Sequence, residues 1–154
     1  MNEFWCKKGH FNSDQANFFK EMVKENDPEY ILETGFCTGR SASAILTNAK
    51  KLKKMISIDI NFDYIKPEGR IYKNKLEDNF ENFSTIENNS SKILNNNFFK
   101  KEFPFGIDWV TVDGDHSYTG CLFDLTSVVN HINKNGIIIV DDYKSGPPNG
   151  CSIP

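Results

Sequence analysis

Apolar positions along the chain follow two rhythms. Short, nearly continuous apolar runs fall at Tyr30 to Glu33, Met55 to Ile60, Phe83 to Glu87, Ile107 to Val112 and Ile137 to Val140. Runs of that length read as strands buried on both faces. Helical spacing separates them. Phe18, Phe19, Met22 and Val23 follow the N-cap candidates Asn12, Ser13 and Asp14, and Asp27-Pro28 stops that helix. Ser41 to Asn48 carries Ala42, Ala44, Ile45 and Leu46. Pro67-Glu-Gly69 marks a turn ahead of an exposed helix over Ile71 to Phe80, and Ser90 to Asn95 reads as another. Tyr118 to Asn133 keeps the period through Cys121, Leu122, Leu125, Val128, Val129 and Ile132, and Asn135-Gly136 closes it. Strands alternating with helices predict an α/β fold, a doubly wound, mainly parallel sheet with helices on both faces. There is no internal repeat and no linker, so residues 1–154 read as a single domain.

Composition narrows the partners. A chain of 154 residues, 38% hydrophobic with 13 Phe, can bury roughly two thirds of its unfolded surface. Net charge is −3 and the basic residues are scattered. The densest group, Lys50-Lys51-Leu52-Lys53-Lys54, reads as a solvated helix end, so no nucleic acid is expected. Cys6, Cys37, Cys121 and Cys151 lack zinc-like pairing and no signal peptide precedes them, which predicts reduced thiols and a cytoplasmic setting. No apolar run approaches the roughly 20 residues of a membrane span. The run Asn95-Asn96-Asn97 reads as loop or helix-end residues.

Two stretches carry the chemistry. Glu33-Thr-Gly35-Phe-Cys-Thr38-Gly39 follows the first strand and opens a helix, a place where glycines let backbone N–H groups approach a ligand. Asp59, at the end of the next strand, is placed to accept ribose hydroxyls. The spacing is Gly-x-x-x-Gly behind a glutamate, not the Gly-x-Gly-x-x-Gly of dinucleotide folds. A glutamate there disfavours a pyrophosphate and favours a cationic ligand. The bland reading is a turn whose glycines are only steric.

The second stretch is Asp113-Gly-Asp115-His116-Ser-Tyr118, with Asp141-Asp142 just past the following strand. Carboxylates crowded at one sheet edge raise one another's pKa unless a cation joins them, and a hard divalent ion such as Mg²⁺ relieves that strain. Taken singly, Asp113 suits a helix cap, Asp115 and Asp141-Asp142 suit turns, and His116 suits a packed neighbour. His10 and His131 read as surface or helix-end residues, Trp109 as core, and Trp5 as core or part of a lid.

Glu33-Thr-Gly35-x-x-x-Gly39 followed by Ile58-Asp59 resembles the cofactor site of class I S-adenosylmethionine (SAM)-dependent methyltransferases. The segment Val112 to Tyr118, with Asp124 and Val140-Asp-Asp-Tyr143, resembles metal-dependent small-molecule O-methyltransferases, chiefly those acting on sugar hydroxyls. The resemblance runs from Asp14 to about Tyr143. It implies SAM held by Glu33, Gly35, Thr38, Gly39, Asp59 and Asp113, and a divalent metal, Mg²⁺ by preference, held by Asp113, Asp141 and Asp142. It implies His116 as the base, with Asp115 as its rival, and a small-molecule hydroxyl acceptor.

The resemblance breaks after Tyr143, where that superfamily adds a helix and an antiparallel strand pair. The fifth strand is then an open edge, for which self-association or a covering partner is expected. Two other readings stand beside the O-methyltransferase: a shortened, non-catalytic SAM- or partner-binding domain, and an NAD-dependent oxidoreductase.

Overall fold

Each apolar run becomes a strand, and helices fill the intervals between them. The computed structural model describes residues 3–141. Its elements are α1 (Ser13–Asn26), β1 (Tyr30–Thr34), α2 (Arg40–Leu46), β2 (Lys54–Asp59), α3 (Glu68–Asn79), β3 (Phe83–Glu87), α4 (Ser90–Ile93), α5 (Asn96–Glu102), β4 (Ile107–Val112), α6 (Tyr118–Val128) and β5 (Ile132–Val140). The strands pair in parallel in the order β3-β2-β1-β4-β5. Chain order reverses between β1 and β4, so the carboxyl ends of these strands flank the crevice where such sheets take ligands.

Successive side chains point to opposite faces of a strand, and two cores result. Ile31, Met55 and Trp109 join Phe19 and Val23 of α1, Ile45 of α2 and Leu76 of α3. Leu32, Ile56 and Val110 face the other way, onto Phe99 of α5 and Cys121 and Val128 of α6. Both faces are covered, which is why apolar residues fall on either side of the pleat within a strand. Among the described residues, no helix is long and apolar enough to cross a membrane.

Three boundaries depart from the sequence pattern. First, α3 starts at Glu68, inside the expected turn. Second, residues 96–102 form a helix, α5, whose cap is Asn95: its side chain accepts from the N–H groups of Asn97 and Phe98. Third, α6 ends at Val128 and Ile132 already belongs to β5. The pairing of β4 with β5 jumps from Ile107↔Ile132 to Trp109↔Ile137, so two steps along β4 span five along β5. Asn135 (φ 72°) lies in this bulge, and Asn133 donates to Asp108 Oδ1 at 2.8 Å. The turn residues Asn135-Gly136 therefore sit inside a strand rather than closing a helix.

Candidate active site

Gly35 is where the two motifs meet. Its N–H donates to Ile58 O at 2.8 Å, and Asp113 N–H donates to Thr34 O at 2.9 Å, so the loop after β1 runs between the ends of β2 and β4. Gly35 has φ 89°, and a Cβ there would lie 1.9 Å from Asp113 O. Only glycine allows both the backbone conformation and the approach. Asp59 holds the loop: its Oδ2 accepts from Phe36 and Cys37 N–H at 2.8 Å each, and its Oδ1 accepts from Asn61 N–H at 2.8 Å. A carboxylate has about four acceptor positions, so roughly one is left for a ligand.

Two residues of the loop motif face away from the crevice. Glu33 lies on the α2 side of the sheet, fully buried, between cross-strand neighbour Ser57 and Ser41 of α2. Each serine hydroxyl donates to one of its oxygens at 2.5 Å. Burial pushes its carboxyl up to about 7, against the pull of those two hydroxyls. Expected to hold the cofactor, Glu33 lies beneath the loop with both oxygens accepting from serines. Gly39 also turns inward: with φ 69°, a Cβ there would meet the Phe36 ring at 2.5 Å and Leu76 at 2.9 Å. The second glycine of the motif is steric. Thr38 is buried beside the crevice and its hydroxyl donates to Lys8 O at 2.8 Å.

Val112 pairs with Val140, so Asp113 and Asp141 leave adjacent strands side by side, and Asp141 N–H donates to Val112 O at 3.1 Å. His116 Nε2 lies 3.3 Å from Asp113 Oδ1, with about half of its side chain exposed. Asp115 Oδ1 accepts from Ser117 N–H at 2.9 Å, a turn-forming bond, and its carboxyl lies against Gly120 of α6. Asp124 is buried in α6, with the Thr34 and Ser90 hydroxyls beside its carboxyl. Burial pushes the Asp124 carboxyl up. Asp142 lies outside the described residues. Among those described, no group of three or more His, Cys, Asp or Glu is arranged to hold a metal ion.

These loops enclose a cavity of about 870 Å³ lined by Gly35, Thr38, Asp59, Ser90, Asp113, Asp115, His116 and Asp141 together with residues of the N-terminal segment. Three contributors escaped the sequence reading. His10, read as a surface or helix-end residue, is exposed but stands on the cavity wall. Gln15 closes a capping box with Asn12, accepting from Asn12 N–H at 2.8 Å, and donates from Nε2 to the Asp141 oxygens at 3.4 and 3.3 Å. Its spacing from Asn12 is the signal that could have found it. Arg40 lies at the cavity rim and donates to four backbone carbonyls of the N-terminal segment. Its only sequence signal is a cation in the first turn of a helix, where the helix dipole disfavours one.

The profile of a methyltransferase domain family matches residues 32–143, from the last core residue ahead of the glycine loop to just past Asp141-Asp142. The chain belongs to that family. As a methyltransferase domain it has clear structural counterparts. It superposes on the SAH-bound methyltransferase PaMTH1 of Podospora anserina with a TM-score of 0.68, at 20% identity over 91% of this chain and 59% of that one. The SAM-bound O-methyltransferase TomG of Streptomyces achromogenes gives 0.71 at 14% identity, over 85% and 56%. The SAH-bound O-methyltransferase of Bacillus cereus gives 0.68 at 15%, over 85% and 57%. In sequence, the methyltransferase domain is 30% identical over 141 residues to uncharacterized protein R132 of Acanthamoeba polyphaga mimivirus, covering 88% of this chain and 58% of that protein. The chain thus spans less than two thirds of the length of these relatives. The shared fold is the Rossmann-like sheet of class I SAM-dependent methyltransferases.

Proposed function

We propose that this domain transfers a methyl group from SAM to a hydroxyl of a sugar or similar small molecule. The observation that carries the reading is the Gly35–Asp113 contact, through which a glycine loop and an acidic loop open on one cavity. The charges of that cavity support a sulfonium cofactor over a dinucleotide. Asp59, Asp113, Asp115 and Asp141 line it, whereas Arg40, the one Lys or Arg among the described lining residues, already serves four carbonyls. A pyrophosphate there would meet like charge, with no uncommitted Lys or Arg among the described lining residues to offset it, whereas SAM brings positive charge. Similarity to structures described as O-methyltransferases supports oxygen as the acceptor atom.

Each residue then has a task. Gly35 and Thr38 line the loop side, and the remaining acceptor position of Asp59 suits a ribose hydroxyl. Asp113 orients the His116 imidazole, which takes the proton from the acceptor hydroxyl. Asp115 is the rival base, with one oxygen committed to Ser117 N–H. Asp113 and Asp141 offer hard oxygen donors from adjacent strands and, with Asp142, would hold a divalent cation such as Mg²⁺. Such an ion, when bound, lowers the pKa of an acceptor hydroxyl. Much of the remaining acceleration comes from holding acceptor oxygen and methyl group in line.

Calorimetric titration with SAM, SAH and NAD tests the cofactor. Micromolar binding of both adenosyl ligands and none of NAD is expected, and the reverse pattern would reject the reading. For the chemistry, Asp141→Asn should abolish methyl transfer while leaving SAH affinity within about two-fold, because Asp141 stands on the acceptor side.

A further inference from the structure

Residues 5–11 have neither helix nor strand, yet they are tied to the glycine loop at several points. Arg40, the residue directly after Gly39, supplies most of the ties. Its Nε donates to Cys6 O at 2.7 Å, one terminal nitrogen donates to Gly9 O at 2.9 Å and Phe11 O at 2.6 Å, and the other donates to Lys7 O at 2.8 Å. The Trp5 ring covers the guanidinium at 4.7 Å. Thr38, the other neighbour of Gly39, donates to Lys8 O at 2.8 Å, and Lys8 pairs with Glu68 of α3 at 2.7 Å. Gly9 has φ 129°, and a Cβ there would meet Thr38 Oγ1 at 2.5 Å, so the segment lies directly on the loop.

A planar, five-donor guanidinium can serve carbonyls spread along six residues, which a lysine ammonium cannot. Such a cation in the first turn of a helix works against the helix dipole, so its position is not explained by α2 itself. The segment in turn delivers His10 and Phe11 to the cavity wall and leads into α1, from which Gln15 reaches Asp141. It lies outside the stretch matched by the family profile, which begins at residue 32.

We infer that residues 5–11 form a strap that walls the cofactor cavity, and that Arg40 is the positioning residue that latches it and so sets how long the cofactor stays bound. The inference rests on the SAM reading above. Opening the Arg40 ties would remove this wall from a bound ligand, so the latch acts chiefly on the dissociation rate.

The test is the dissociation rate of SAH, measured by stopped flow on the purified chain, for the wild type, Arg40→Lys and Gly9→Ala. Gly9→Ala pushes the strap off Thr38, and its new carbon also crowds Arg40 Cδ at 3.3 Å, so it strains the same ties while keeping the guanidinium and serves if Arg40→Lys does not fold. Each variant should release SAH about ten-fold faster, with the association rate changed far less. The double variant should be no faster than either single one, because both open the same latch. A general loss of stability would lower the fraction that binds without changing the rate from the folded fraction. In parallel, trypsin cleavage after Lys7 and Lys8, followed by mass spectrometry, should be slow in the SAH-bound wild type and fast in both variants. Wild-type dissociation rates in variants that still bind SAH would overturn the latch alone. No SAH binding by the wild type would overturn the cofactor reading and the latch together.

Discussion

At the scale of single residues, Glu33 shows how much one burial decision can govern. Its carboxyl sits between two serines on the covered face of the sheet, and burial lifts it to about 7 from an ordinary 4.5. Between those values the unfolded chain has released this proton and the folded chain still holds it. Folding therefore takes up a proton in that window, and this residue's contribution to stability falls as pH rises from about 4.5 to about 7, then stays flat. A shift of that size corresponds to about 3 kcal/mol. Glu33→Gln keeps an acceptor and a donor for the two serine hydroxyls and has nothing to titrate. Urea unfolding at pH 5, 6, 7 and 8 should show the variant gaining on the wild type as pH rises. Parallel curves for the two proteins would refute a titrating Glu33. Gly35 is governed by space instead. In Gly35→Ala the new carbon would overlap Asp113 O, so a loss of roughly 3 kcal/mol or more is expected, together with loss of SAH binding.

Elements are held by their ends as much as by their faces. The start of α1 carries a reciprocal cap, with Asn12 accepting from Asp14 and Gln15 N–H and Gln15 accepting from Asn12 N–H. Asn12→Ala should cost about 1 kcal/mol, a drop in Tm of roughly 2–4 °C, while the distant Asp59 end of the cavity keeps its SAH affinity. Scanning calorimetry with a matched SAH titration separates the two effects. The same scale explains what the sequence revealed. Strands such as Ile107–Val112 declared themselves because burial on both faces favours apolar residues at neighbouring positions, here Trp109 and Val110. The helix over residues 96–102 did not, because its seven residues present chiefly Phe99 to the core and its cap was disguised in a run of asparagines. Asn135-Gly136 carried a true turn signal, but local chemistry cannot distinguish a helix end from a bulge that depends on pairing with β4. At the cavity, Asp59, Asp113, His116 and Asp141 were legible because they lie at or shortly after the carboxyl ends of strands. The burial of Glu33 was not legible because residue type alone does not reveal which face of the pleat it takes. Arg40 and His10 were missed because their positions depend on the irregular segment before α1, which has no period to read.

For the whole molecule, the order β3-β2-β1-β4-β5 divides the labour of the crevice. The proposed cofactor side is built on the ends of β1 and β2, and the proposed acceptor side on the ends of β4 and β5. The two halves share the Gly35–Asp113 contact and a continuous sheet, yet their chemistries are separable. A ligand that binds only the folded chain stabilises it by mass action, so SAH at 100 times its Kd should add about 2.7 kcal/mol. That gain belongs to the β1–β2 side and should survive chelation of divalent ions with EDTA. On the proposed function, methyl transfer to a hydroxyl acceptor would use the β4–β5 side and should be lost under the same chelation and return with added Mg²⁺. A thermal melt with SAH and a transfer assay, each run with and without EDTA, check the two halves in the same sample. Transfer unchanged by EDTA would remove the metal from the proposed chemistry and leave His116, oriented by Asp113, to activate the acceptor unaided. Loss of the SAH-dependent stabilisation on chelation would instead mean that the two sides are one site. The division of labour inferred from the strand order would then be wrong.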